Sequence, residues 1–463
     1  MPPQTPEPGT RTPLLALLLL AGCAGATKSE PPRRDPAPQA PREFTFVLSG
    51  DTAGFIVPCG CASKQFGGLP RRGSYLQAAR REGEILYFDA GGSVHRATEY
   101  DALKLEYIWK GVLALRPAAL NLGAGEVELG LERLRALAAA GLPLISANLR
   151  AEGEVPWRDH LVLEAGGARL AVTGICRPDA KLGPGLRLVE PEMALRALVP
   201  KLAKDADAVI LLAYADEPRC LALIDAFPEL AAVLAAGTPQ PIPPRRVQDR
   251  AVLAAATSKG KFLARATLAA SGLAWDLGAG EVVELSETYA DEAAQAENLR
   301  AYQARLRAEK LDPARTGEAP ALLRGLPEGY RYAGNAACAR CHVADDALHR
   351  QMAHAHGLET LEKKGFEFDP YCLKCHTTGY GAPGGFSTLD RTPALGGIGC
   401  ESCHGPSQAH AANPRLKTPV KGSAACITCH DPDNSPSFDY AVYWPKIVHG
   451  LEKAVEPPGG AAP

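Results

Sequence analysis

Cys338-Ala-Arg-Cys341-His342, Cys372-Leu-Lys-Cys375-His376, Cys400-Glu-Ser-Cys403-His404 and Cys426-Ile-Thr-Cys429-His430 all fall in the last third of the 463-residue chain. Two thiols three positions apart reach the two vinyl groups of one haem, and the adjacent histidine puts an imidazole on its iron, so each pentad reads as a c-type haem attachment site. Paired cysteines also bind zinc, but zinc does not require a histidine directly after every second cysteine. A disulfide framework leaves those histidines unexplained. One pentad could be chance; four together specify a segment carrying four covalent haems, with His342, His376, His404 and His430 as proximal iron ligands.

The chain has 11 histidines, and outside the pentads His349, His354, His356, His410 and His449 lie in the same stretch. An iron has two axial positions, so haems held on both faces need further imidazoles here. Met352 is the one sulfur competitor in that stretch.

Tyr332-Ala-Gly-Asn-Ala-Ala-Cys338, Cys375-His376-Thr-Thr-Gly-Tyr380 with Gly384-Gly-Phe386, Cys400-Glu-Ser-Cys-His-Gly-Pro406 and Tyr443-Trp-Pro-Lys-Ile-Val-His449 resemble the cytochrome c-554 type of tetrahaem protein. The resemblance implies mostly bis-histidine haems, sometimes with one five-coordinate iron. It implies His354, His410 and His449 as distal ligands and leaves His349 or His356, or nothing, for the remaining place.

A formal charge of −2 and no basic run argue against nucleic-acid binding. Haem propionates would make the C-terminal part acidic, which suits a transient, charge-complementary redox protein partner. Near the N-terminus, Leu14–Leu20 is an apolar run too short to span a bilayer. It leads into Leu20-Ala-Gly-Cys23, which resembles a bacterial lipobox, although Arg11 is the only basic residue upstream of it. The resemblance implies a signal peptide over 1–23, lipidation at Cys23 and, because Ala24 carries no retention cue, an outer-membrane anchor. Residues 24–43, rich in Pro, Ala and charge, read as a disordered tether reaching roughly 60 Å if extended.

Over 44–290, β-rich runs at Phe44–Leu48, Ile85–Phe88, Arg169–Gly174 and Ala208–Ala213 alternate with helical periodicity near 99–115, 130–140 and 192–204. That alternation specifies an α/β fold. Gly67-Gly-Leu-Pro-Arg-Arg72, Asp89-Ala-Gly-Gly92, Gly123-Ala-Gly-Glu126, Leu144–Leu149 and Ala235-Ala-Gly-Thr-Pro-Gln240 resemble the 5'-nucleotidase type of metallophosphoesterase, which implies an αββα sandwich. That chemistry needs two metal ions about 4 Å apart held by Asp, Asn and His. Asp51 and Asp89 stand where the first aspartates belong, but family ligand positions hold Ala53, Gly92, Ala124, Gly125, Tyr214, Thr238 and Gln240. The region therefore reads as the fold without its hydrolytic chemistry.

Cys59, Cys61, Cys176 and Cys220 are expected near the carboxyl rim of the sheet, Cys220 in a loop, as two disulfides or as a four-thiolate metal site. Residues 291–328 read as a helical linker acting as a spacer, and 329–455 as the mainly α or irregular multihaem region. The leading function is an extracytoplasmic, lipid-anchored electron carrier rather than a catalyst. The alternative is a haem enzyme acting on a small nitrogen compound at a five-coordinate iron.

Overall fold

Apolar residues spaced two apart along 168–176 and 208–214 face alternately two different cores, and that alternation builds the first region. Leu170, Val172, Ile210 and Leu212 enter one buried cluster, while Ala171, Ile175, Val209 and Leu211 enter another. A strand buried on both faces must lie between layers. The computed structural model describes residues 42–58, 65–271, 274–319, 326, 329–420 and 422–450. Cys23, Cys59, Cys61 and most of the expected tether lie outside them.

The first region is two stacked six-stranded sheets. In the first, β1 (Glu43–Ser49), β2 (Ile85–Asp89), β3 (Ala119–Asn121) and β4 (Leu144–Ile145) run parallel, and β13 (Phe262–Ser271) joins β1 antiparallel to β14 (Ala274–Glu284). In the second, β7 (Ala168–Cys176), β9 (Ala208–Tyr214), β10 (Leu230–Ala236) and β12 (Ala251–Ala255) are parallel, edged by antiparallel β6 (His160–Ala165) and β11 (Ile242–Val247). A short antiparallel pair, β5 (Leu149–Ala151) and β8 (Leu186–Leu188), lies apart from both.

Helices α1 (Leu69–Glu82) and α2 (Glu99–Ala114) contribute to the larger core, followed by α3 (Ala124–Glu128) and α4 (Leu131–Ala138). The outer face of the second sheet is covered by α5 (Pro191–Asp205) and α6 (Glu217–Ala226). The strands and helices expected from periodicity are therefore present.

Helix α7 (Ala293–Glu309) falls in the expected helical linker and packs on α2. It buries Gln295, Tyr302 and Leu306, and Gln295 donates to Gly111 O at the end of α2 (2.9 Å). Its N-cap, Glu292, accepts from the Gln295 N–H (2.8 Å).

The C-terminal region is built from short helices: α8 (Asn335–Ala339), α9 (Val343–His349), α10 (Gly357–Glu362), α11 (Pro370–His376), α12 (Cys400–His404), α13 (Gln408–Ala412) and α14 (Tyr440–Tyr443). Its own apolar cluster is small, with Leu361, Leu373, Tyr380, Phe386 and Leu395 buried. No helix among the described residues is long and apolar enough to cross a membrane.

Candidate functional site

Each pentad ends in a histidine, and local contacts aim two of these rings. The His376 Nδ1 lies 2.7 Å from Gly357 O, and the His430 Nδ1 lies 2.9 Å from Ser435 Oγ. Using Nδ1 in this way leaves Nε2 for an iron. Burial holds His354, His376, His404 and His430 below the ordinary imidazole range, which favours the neutral, ligating form.

The chain brings three further histidines up to three of the pentad rings. His410 faces His342 with ring centres 6.3 Å apart, His354 faces His430 at 6.2 Å, and His449 faces His404 at 5.7 Å. A metal–nitrogen bond of about 2.0 Å, with the ring centre about 1.2 Å beyond, puts two imidazoles on opposite sides of one ion at most about 6.4 Å apart. The donor set therefore fits a haem iron held from both faces at three sites. Local bonds orient two of the incoming rings: His410 Nδ1 lies 2.6 Å from Leu416 O and His449 Nδ1 lies 2.9 Å from Ile447 O.

The fourth place is different. Among the described residues no histidine ring faces His376. His349 has its Nε2 engaged by Ile398 O (2.9 Å). His356 has both nitrogens engaged, Nδ1 by Glu359 Oε1 (2.7 Å) and Nε2 by Arg350 O (3.0 Å). The Glu359 hydrogen bond also raises the His356 pKa, favouring the protonated form, which cannot ligate. Neither histidine is placed to complete the second pentad.

The order of the pentads in space is not their order in sequence. Cys338 of the first lies within hydrogen-bonding reach of Cys400 of the third, and Cys429 of the fourth within reach of Cys375 of the second. Helix α12 packs against both α8 and the turn carrying Cys426. The resulting series is first, third, fourth, second. Two residues within the quoted motifs, to which the sequence assigns no role of their own, fasten it. Glu401, buried inside the third pentad, accepts from the N–H groups of Ala333 (2.9 Å), Gly334 (2.7 Å) and Ser407 (2.7 Å). Asn335 Oδ1 accepts from the Cys400 N–H at 3.0 Å. A charged residue between two haem cysteines was the available signal.

In the α/β region the space beside Asp51 and Gly92 is filled. The ring of Tyr214 lies between two glycines: a Cβ on Gly92 would come within 2.6 Å of it and one on Gly237 within 3.3 Å. An aspartate at position 92 would collide with that ring, so the two replacements depend on each other. Asp51, with φ of +52°, accepts at Oδ2 from Thr257 (2.8 Å). Asp89 is turned to a different use, with Oδ2 accepting from Ser49 Oγ (2.6 Å) and lying 3.5 Å from the buried guanidinium of Arg72. Glu126, which the sequence reading did not single out, accepts at Oε1 from the Ser93 N–H (2.6 Å), while its Oε2 has no partner. Burial pushes its carboxyl up to about 7. Among the described residues no three His, Cys, Asp or Glu side chains converge as metal ligands.

Of the four remaining cysteines, Cys59 and Cys61 lie outside the described residues, Cys176 ends a strand as expected, and Cys220 does not lie in the expected loop. Cys176 ends β7 and faces the core between the sheets, whereas Cys220 lies in α6, not in a loop, and faces the core beneath that helix. The second sheet separates them, so they can share neither a disulfide nor a four-thiolate site. Both thiols are free, and burial pushes each up to about 12, leaving them neutral and inert.

Residues 337–405 match the family model described as "Cytochrome c554 and c-prime". Cytochrome c-554 of Nitrosomonas europaea is 33% identical over 92 residues, covering 17% of this chain and 39% of that protein. The matched stretch is thus well under half the length of that curated relative. A 5'-nucleotidase precursor from Thermus thermophilus superimposes with a TM-score of 0.51 at 21% identity, over 57% of this chain and 59% of that one. A sulfate thiohydrolase, SoxB, from the same organism gives a TM-score of 0.49 at 18% identity, over 60% and 62%. The nucleotidase likeness establishes a fold and carries no activity. The chain joins a region with the fold of the 5'-nucleotidases to a region that, over 337–405, is similar to the cytochrome c554 family.

Proposed function

We propose that this chain is an extracytoplasmic tetrahaem cytochrome that passes single electrons between redox proteins and is tethered to the outer membrane by lipid on Cys23. The observation that carries the reading is the facing of His410, His354 and His449 onto three of the four pentad histidines at iron-spanning separation. Each haem, when bound, supplies a one-electron iron couple whose potential responds to ligands, charge and burial.

The protein's own part is to hold and to space. Cysteine pairs fix each haem covalently, paired imidazoles favour six coordination and disfavour substrate entry, and Glu401 and Asn335 lock the first attachment helix to the third. The close approach of Cys338 to Cys400 and of Cys375 to Cys429 supports transfer along the series first, third, fourth, second. The α/β region hydrolyses no phosphoester on this reading, because Tyr214 occupies the space a bridging aspartate would need.

A second reading is favoured by His376 alone. With no imidazole opposite it, that site could take a small nitrogen compound, which would make the protein an enzyme at one haem.

The test is the haem-to-protein ratio of the purified protein together with its paramagnetic-resonance spectrum, with and without nitrite or hydroxylamine. Four haems with no response to either addition support the carrier; one high-spin signal that shifts supports the second reading. Replacing His410 by Ala is expected to convert one low-spin signal to high-spin, and replacing His356 by Ala to change none. Equal effects from the two variants would remove the pairing argument.

A further inference from the structure

The second attachment helix, α11, meets the α/β region through a buried polar cluster to which both regions contribute. Asp369, the N-cap of α11, accepts at Oδ1 from the Tyr371 N–H (3.0 Å) and from the hydroxyl of Tyr100 on α2. Its Oδ2 accepts from the hydroxyl of Tyr302 on α7 at 2.9 Å. Beside this carboxylate lies Lys104 of α2, 7% exposed, with Nζ 4.1 Å from the centre of the Tyr100 ring and 5.4 Å from that of Tyr371. Tyr371 immediately precedes Cys372, so the cluster of Lys104, Tyr100 and Tyr302 lies close to the first attachment point of the second pentad.

The other charges around the cluster are already matched. Glu318 pairs with Arg96 and, at 2.8 Å, with Lys374; Asp101 lies 3.6 Å from Arg96. Lys104 therefore answers the carboxylate of Asp369, across two aromatic rings. Burial holds its proton affinity below the ordinary lysine range, and the charges of Asp369, Asp101 and Glu318 offset part of that lowering and favour the cation. A cation in a low-dielectric interior acts over several ångströms with little screening. Reduction adds an electron, so such a cation stabilises the reduced state.

We infer that Lys104, a residue of the α/β region, sets the reduction potential of the haem held by Cys372, Cys375 and His376, raising it above the value that site would have without the cation. The assignment rests on covalent haem at the second pentad. It also gives the α/β region a task once its hydrolytic chemistry is gone: it is the electrostatic wall of the site at one end of the haem series.

The experiment is a spectroelectrochemical titration of the full-length haem-loaded protein. A variant with both Cys372→Ala and Cys375→Ala identifies the component of the second haem by its disappearance. In Lys104→Met that component is expected at lower potential, with the others moving less; in Lys104→Arg, which keeps the charge, it is expected near its wild-type position. An unmoved component in fully loaded Lys104→Met protein overturns the inference, as does an equal shift of all components. If Lys104→Met loads incompletely, Lys104→Gln is read against the same two outcomes. A wild-type ratio of three haems, with Cys372 and Cys375 unmodified by mass, would instead overturn the underlying haem assignment.

Discussion

The two regions keep their order in opposite ways. In the α/β region, Phe46, Leu48, Leu170, Leu212 and scores of other apolar side chains are buried around two sheets, and order follows from removing that surface from water. In the C-terminal region five buried apolar side chains form the local cluster, and its helices are four to seven residues long, below the length at which a helix stands alone. A cluster this small removes little apolar surface from water, so covalent haem is expected to supply much of the order of this region. The first region shares a fold with the 5'-nucleotidases and is ordered by its own core; the second has its chemistry written in every pentad and a small apolar cluster of its own.

The largest effect expected from this contrast comes from blocking haem attachment. Expressed without the machinery that joins haem to thiols, the chain should retain a protease-resistant fragment near 44–310 while 329–450 is digested rapidly. Limited proteolysis followed by mass spectrometry reads this directly. A C-terminal region that resisted digestion without haem would break the comparison.

Next comes Arg72→Met in the α/β region. Arg72 is fully buried and its guanidinium lies 3.5 Å from Asp89; removing it leaves a buried carboxylate without its cation. Breaking such a pair from one side costs about 3–5 kcal/mol. The denaturation midpoint followed by far-UV circular dichroism should fall accordingly, while the haem absorbance spectrum stays as in wild type. A parallel change in the haem spectrum would mean that the two regions fold as a single unit.

The same contrast explains what could be read from sequence. The strands at Phe44–Leu48 and Ala208–Ala213 were legible because burial on two faces leaves a periodic trace, and the pentads because haem attachment fixes residue type at fixed spacing. The partner of each pentad histidine was not legible. His410 reaches His342 across 68 residues, and His354 reaches forward to His430 rather than to its sequence neighbour His376. Loop closure of that kind leaves no local pattern. Cys220 was misplaced because a helix start at Asp216-Glu-Pro resembles a turn until the Asp216 cap on the Arg219 N–H (3.0 Å) is seen. Lys104 and Tyr302 looked like ordinary helix residues, since their importance comes from what packs against them.

A smaller effect is expected at Glu126. Its carboxyl is raised from 4.5 to about 7 by burial, so the folded state binds a proton more tightly than the unfolded chain. Its contribution to stability is fully present below pH 4.5 and is lost as pH rises through 7. The span is up to about 3 kcal/mol, taken from the shift. Glu126→Gln should flatten the stability profile between pH 5 and pH 8, measured by denaturant titration at each pH. An unchanged slope in the variant would place the pH dependence elsewhere.

The smallest effect concerns the contact that looks most like an electrostatic clamp between the regions. Asp433 lies 2.5 Å from Lys259 Nζ and 3.2 Å from Lys261 Nζ, on loops from opposite sides of the junction. Burial works against its ionisation, yet the two lysines prevail and hold its carboxyl below the ordinary aspartate range. Any stability from this pair is therefore present above the ordinary aspartate pKa and is lost as pH falls through the lowered one. The Asp433 side chain is 47% exposed, so water and salt screen the pair. Asp433→Asn should cost less than about 1 kcal/mol, and less still at high ionic strength. Tyr302→Phe, which takes one hydrogen bond from the buried Asp369 carboxylate, should cost more than Asp433→Asn in the same melting experiment. The reverse ranking would mean that the haem region is held to the α/β region by its surface charges, and that the buried cluster around Asp369 is a passenger of that docking rather than its cause.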